Sequence, residues 1–261
     1  MIVVKFGGHA MKDENGGFAA AIAAALTQGE HVVIVHGGGP QIDLALQARG
    51  IESRWIGGFR VTSQEIFDVV EDVLVNLVGT AVTEGLRKAG ISAQAISART
   101  HPTIIAKRRT TLIDGSPINL GLVGEITSVD PSQILELLKK EIVPVIAPIS
   151  SDEDLITGLN VNADFAAAAI AAALNASALI VMTDVAGIYR NWPDTTSLIS
   201  QISARELEAI KLSFAEGMAP KVQATLDAIA AGAQAVRIID GTDPESFVQA
   251  LAGHGGTLVN A

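Results

Sequence analysis

Two lysines, one aspartate and a run of glycines stand where strands or loops of this chain hand over to helical patterns. Lys5 ends an apolar run just before Gly7 and Gly8, and His36-Gly-Gly-Gly-Pro40 follows a second such run. Asp164 stands behind Asn160 and Asn162 at the head of an alanine-rich stretch, and Lys221 follows Gly217-Met-Ala-Pro220. Backbone amides at a helix start have no intrahelical acceptor, and the helix dipole favours anions there. A lysine inside an apolar strand is costly to bury unless an anion meets it. Four such junctions in one chain share one explanation, an anionic substrate carrying several phosphates.

Other residues extend this chemistry. Gly38 and Gly39 let the backbone approach a ligand closely and present consecutive N–H groups to oxygens. Such glycine runs also form oxyanion holes in some esterases, but the Gly-x-Ser-x-Gly pentapeptide that this chemistry requires is absent. Arg60, in Gly57-Gly-Phe-Arg-Val-Thr62, offers a guanidinium fork for a carboxylate. Asn160, Asn162 and Asp164 are more polar groups than one helix cap needs. Thr183-Asp-Val-Ala-Gly-Ile-Tyr189 ends a buried strand in a turn suited to adenine or ribose. The five histidines show no metal-ligand spacing and are expected in structural or loop roles, and neither the P-loop nor the dinucleotide fingerprint occurs.

Bulk properties narrow the class. The chain has 261 residues, 49% of them hydrophobic, and a formal net charge of −10. That balance predicts a well-buried protein and argues against nucleic acid or an anionic membrane as partner. With no cysteine there is no disulfide, thiolate metal site or cysteine nucleophile, which fits a cytoplasmic enzyme. The start, Met1-Ile-Val-Val-Lys5, does not read as a signal peptide. Phe165 to Met182 approaches a membrane span in length, yet its alanines give way at Asn175-Ala-Ser177 to a Leu-Ile-Val-Met strand, so it is expected to be helix then strand.

Buried strands are predicted at Ile2 to Phe6, His31 to Val35, Ile91 to Ile96, Val143 to Ile146, Leu179 to Met182 and Ala235 to Ile239. Helices are predicted at Phe18 to Thr27, Gln41 to Arg49, Gln64 to Lys88, Pro131 to Lys140, Asn162 to Leu174, Ala204 to Leu212, Met218 to Gly232 and Pro244 to Leu251. The alternation implies an α/β fold with a mostly parallel central sheet and helices on both faces, binding its ligand at the carboxyl ends of the strands. Residues 51–62 and 103–129 read as hairpins projecting from that sheet as a lid or substrate wall.

Six segments in order resemble the amino acid kinase family: Val-Lys5-Phe-Gly-Gly8, Val-His36-Gly-Gly-Gly-Pro-Gln-Ile42, Gly-Gly-Phe-Arg60-Val-Thr, Asn160-Val-Asn-Ala-Asp164, Thr-Asp184-Val-Ala-Gly-Ile and Gly217-Met-Ala-Pro-Lys221-Val. The resemblance implies a three-layer αβα sandwich, one domain over residues 1–261. Its substrate lobe would span about residues 1–175 and its nucleotide lobe about 176–261. It also implies ATP-dependent phosphorylation of the side-chain carboxylate of N-acetyl-L-glutamate in arginine biosynthesis, with Mg²⁺ bound along with the nucleotide and no protein residue assigned as its ligand.

Carried over residue by residue, Lys5 and Lys221 would stabilise the transferring phosphoryl group and Asp164 would position them. Gly38 and Gly39 would supply amides, while Arg60 and Asn160 would hold the substrate's α-carboxylate. Gly8, Asp184, Gly187, Tyr189 and Phe214 would contact the nucleotide. Elementary acid–base chemistry agrees: a carboxylate acceptor, with a pKa of about 4.3, is already ionised and needs no general base. The family's glycine-rich Asp-Gly turn is replaced here by Ser97-Ala-Arg-Thr-His-Pro-Thr103, at the expected substrate wall.

Two alternative functions are a kinase acting on a carboxylate displayed on a carrier protein, with Arg99, Lys107, Arg108 and Arg109 as the docking patch, and a degenerate fold that only binds nucleotide. The apolar stripe of Gln64 to Lys88 is expected to face the sheet. The resemblance implies that the same helix also crosses its twin in a homodimer, and that a chain whose first strand begins at residue 2, unlike arginine-inhibited relatives, is insensitive to arginine.

Overall fold

The structure, a computed structural model, describes residues 1–7, 16–100, 102–214 and 217–261. Its central sheet has eight strands: β1 (Ile2–Phe6), β2 (Val32–His36), β5 (Ala93–Ser97), β8 (Val143–Ala147), β11 (Ala178–Thr183), β12 (Gln201–Ser203), β13 (Ala235–Asp240) and β14 (Thr257–Asn260). Their order is β12-β14-β13-β11-β1-β2-β8-β5, and only the β13–β14 pair is antiparallel. From β1 the chain runs to β2 on one side and later reaches β11 on the other. The carboxyl ends of these three strands therefore flank the crevice where such sheets bind ligands.

Helices cover both faces, because the middle strands are apolar on both. Ile2, Val4 and Phe6 join a core with α1 (Gly17–Thr27) and α9 (Pro244–Leu251), whose Phe18, Ile22 and Phe247 fill it. Val3, Val33 and Val35 face a second core. It holds α2 (Gly39–Ala48), α3 (Gln64–Asp72), α5 (Ser132–Lys139), α6 (Ala163–Ala173), α7 (Ala204–Ile210) and α8 (Ala219–Ala230). Side chains alternate along a strand, so Lys5 shares the face of Val3 and is turned towards α6 and α8.

The sequence predictions hold for the six central strands and for the helices to within a residue or two. Two differences bear on function. The helix expected over Gln64 to Lys88 is interrupted: α3 passes into a π turn at Val73–Val78 before α4 (Gly79–Lys88). Residues 103–129 form not merely a hairpin but half of a separate four-stranded sheet. β6 (Ile104–Arg108) and β7 (Gly124–Val129) are joined there by β9 (Ile149–Ser151) and β10 (Gly158–Asn160), in the order β10-β9-β6-β7. The first hairpin is as expected, β3 (Trp55–Ile56) against β4 (Phe59–Arg60). The suspected span resolves into α6 and β11, and no helix among the described residues is long and apolar enough to cross a membrane.

Candidate active site

Lys5 and Lys221 meet on one carboxylate. Lys221 Nζ donates to Asp164 Oδ2 at 2.9 Å, while Lys5 Nζ lies 3.1 Å from Asp164 Oδ1 as an ion pair not aligned as a hydrogen bond. Lys5 also donates to the Met182 carbonyl oxygen at 3.4 Å, at the end of β11. Local sequence sets each partner. Asn162 caps α6 by accepting the Asp164 N–H at 2.8 Å, which leaves the Asp164 side chain free for the lysines. Pro220 opens α8 and puts Lys221 in its first turn.

Lys5 and Asp164 are almost fully buried. Burial alone would raise the Asp164 pKa, but Lys221 and Lys5 reverse this and hold its carboxyl well below the usual carboxylate range. Burial pushes Lys5 below the ordinary lysine value, with the Lys221 charge adding to the effect. Burial also penalises Lys221, yet Asp164, with help from Asp184, lifts it above that value. Asp164 thus draws two basic side chains to one point of the cleft, which favours an anionic ligand there.

These groups line a cleft of about 470 Å³ together with Gly38, Gly39, Arg60 and Asn160. Arg60 is 4% exposed, and its Nη1 donates to Asp43 Oδ1 at 2.6 Å and to Ser53 Oγ. Its guanidinium lies 4.5 Å from the Trp55 ring centre, and its buried Nη2 has no partner among the described residues. That nitrogen is a buried donor for which the described residues supply no acceptor. Asn160 Nδ2 donates to Thr62 Oγ1 at 3.1 Å, and Thr62 Oγ1 donates to the Arg60 carbonyl at 2.7 Å, which ties β10 to the first hairpin. Gly38 precedes α2, and a β-carbon there would come within 2.6 Å of Leu74 Cδ2 and 3.3 Å of Val78 Cγ2. The glycine run therefore lies directly against the π turn.

Asp184, Gly187, Tyr189 and Phe214 lie apart from that lining. Asp184 follows β11, accepts from Thr183 Oγ1 at 3.1 Å and is felt electrostatically by both lysines. Gly187, at φ +157°, packs where a β-carbon would strike Thr257 Oγ1. Tyr189 rests on Trp192 with ring centres 5.2 Å apart, and Phe214 packs on the edge of the larger core. Gly8 lies outside the described residues. Trp55 and Phe59 line the cleft, as the substrate wall expected over residues 51–62 would, though neither was singled out, and sequence reasoning missed Asp43 and Ser53 as braces of Arg60. One of only two tryptophans, beside a Gly-Gly turn, was the available signal.

The model of the amino acid kinase family matches residues 1–240. The chain belongs to the amino acid kinase family. Among relatives in this family, the acetylglutamate kinase of Nocardia farcinica is 42% identical over 99% of this chain and 86% of its own length. The acetylglutamate kinase of Corynebacterium glutamicum (strain ATCC 13032) is 40% identical over 98% of this chain and 87% of its own. The crystal structure of smu.665 from Streptococcus mutans UA159 superposes with a TM-score of 0.83 at 30% identity, covering 100% of this chain and 98% of that one. The amino acid kinase fold accounts for the large, mostly parallel sheet with helices on both faces.

Proposed function

We propose that this protein is an ATP-dependent kinase that phosphorylates the side-chain carboxylate of N-acetyl-L-glutamate, forming an acyl phosphate in arginine biosynthesis. One observation carries the reading: Asp164 binds Lys5 and Lys221 in a cleft that also holds Arg60, whose Nη2 has no partner among the described residues. The relatives named acetylglutamate kinase support the same substrate.

The acceptor carboxylate is ionised at neutral pH, so no base has to be recruited. The barrier is repulsion between that anion and the γ-phosphate, and catalysis consists of positioning and charge stabilisation. Lys5 and Lys221 supply fixed positive charge to the transferring group, with Asp164 setting their separation. The Gly38 and Gly39 amides offer further donors. Arg60 Nη2 and Asn160 take the α-carboxylate, against the apolar wall of Trp55 and Phe59. Asp184, Gly187, Tyr189, Phe214 and Gly8 are assigned to the nucleotide.

Both oxygens of Asp164 face lysines, and no group of three metal-ligating side chains occurs among the described residues. A Mg²⁺ ion carried on the nucleotide phosphates would neutralise charge there. The boundary between a substrate lobe (about 1–175) and a nucleotide lobe (about 176–261) falls between α6 and β11. A cytoplasmic location suits a biosynthetic enzyme. A homodimer across the helix from Gln64 to Lys88 is supported by Leu77, which is 56% exposed on it, and light scattering tests that assembly.

The carrier-protein alternative is not favoured. Of its docking patch, Arg99 pairs with Glu71 at 2.8 Å and Lys107 with Glu125 at 3.6 Å. A coupled ADP-release assay with and without N-acetylglutamate tests the function. ADP release that does not depend on this substrate would refute it.

A further inference from the structure

His36 closes β2 beside the cleft and is fully buried. Its Nδ1 lies 2.9 Å from the Gly37 carbonyl oxygen. A carbonyl oxygen only accepts, so this hydrogen bond requires the proton on Nδ1. Nε2 is then a bare acceptor, and no donor meets it among the described residues. Its neighbour is Gly79, where a β-carbon would come within 3.2 Å. Burial lowers the ring's pKa from 6.5 to about 4, so the neutral form persists at neutral pH.

The Gly37 carbonyl shares a peptide plane with the Gly38 N–H, and in a trans peptide the two point in opposite directions. Fixing the carbonyl on the imidazole therefore turns the Gly38 N–H away from it. No protein acceptor meets that N–H among the described residues, and Gly38 lines the cleft. Leu74 and Val78 close the α-carbon side of Gly38.

We propose that His36 is a positioning residue that locks the Gly37–Gly38 peptide so that the Gly38 N–H is presented to the transferring phosphoryl group. The proposal rests on the kinase reading. A peptide between glycines has few steric limits on its rotation. Turned over, it would aim a carbonyl at an anion and replace a donor by an acceptor. The imidazole on one side and the π turn on the other prevent this.

Wild type, His36→Asn and His36→Leu are compared by ADP release with ATP and N-acetylglutamate. An Asn amide can donate to the same carbonyl, whereas Leu cannot. His36→Leu is expected to lower kcat about 10- to 100-fold while both KM values stay within about two-fold. His36→Asn is expected to recover most of that loss. An unchanged kcat in His36→Leu, or equal losses in both variants, overturns the proposal. Nitrogen-15 NMR of the wild-type imidazole is an independent measurement, and it decides between the outcomes if His36→Leu does not fold. A protonated Nδ1 with a bare Nε2 supports the lock, and the opposite tautomer overturns it. Wild type inactive on N-acetylglutamate sinks the kinase reading instead, and the tautomer then still decides whether the peptide is held.

Discussion

Lys221 Nζ and Asp164 Oδ2 lie 2.9 Å apart, although 57 residues separate them in the chain. Each stands in the first turn of its helix, and α6 and α8 pack side by side. The contact therefore fixes two helix starts against each other at the mouth of the crevice, with Lys5 reaching the same carboxylate from β1. Two lysines thus converge on one carboxylate, Lys221 held charged by it, beside the proposed place of the transferring phosphoryl group.

The first prediction follows from that convergence. Lys5→Ala and Lys221→Ala should each lower kcat by roughly 10²–10³-fold, as for loss of one preorganised donor. Neither change opens a large apolar cavity, so thermal melts should confirm folded protein. Near-normal turnover in either variant would remove that lysine from the catalytic set.

Arg60→Lys keeps the charge but loses the planar fork, two of whose contacts are to Asp43 and Ser53. The prediction is a KM for N-acetylglutamate raised about ten-fold or more, with the KM for ATP little changed. Steady-state kinetics with each substrate varied in turn measures this. Equal effects on both substrates would assign Arg60 another task.

Gly38→Ala should lower kcat at least about ten-fold, because the new methyl would stand 2.6 Å from Leu74 Cδ2 and push the glycine run off the π turn. The obstacle is the lack of space for a β-carbon between Leu74 and Val78. Adding Leu74→Ala makes room and should restore part of the loss. Strict additivity in this double-mutant cycle would show that the two residues do not press on each other.

His36 makes stability depend on pH. Its folded-state pKa of about 4 lies below the ordinary 6.5, so above pH 6.5 neither state binds the proton. As pH falls from 6.5 towards 4, the unfolded chain takes up a proton that the folded chain refuses, and stability declines. Across the whole window the loss is roughly 3 kcal/mol. Urea unfolding between about pH 7 and pH 5 should show this decline in wild type and a flatter profile in His36→Asn. Parallel profiles would mean that the buried imidazole is not the cause.

The sequence by itself determined six of the eight strands of the central sheet and most of the helices, but not the edge strands β12 and β14. Strands buried on both faces must be continuously apolar, and helix ends announce themselves through caps such as Asn162 and prolines such as Pro220. It also marked Lys5, Asp164, Arg60 and Lys221, because a charge inside an apolar strand or at a helix start conflicts with its surroundings unless something meets it. Tertiary structure alone decided the rest. β9 and β10 are three residues each, too short for a periodic signal, and they exist through hydrogen bonds to each other and to β6. The π turn within the helix from Gln64 to Lys88 has no local mark, and it coincides with the close approach of Gly38 and His36. Nor could spacing reveal that one carboxylate serves two lysines, or that Asp43 and Ser53 grip Arg60. The shared carboxylate depends on the packing of α6 against α8 and on the seat of β1 beside β11, and the grip on Arg60 depends on how α2 and the loop after it meet the first hairpin.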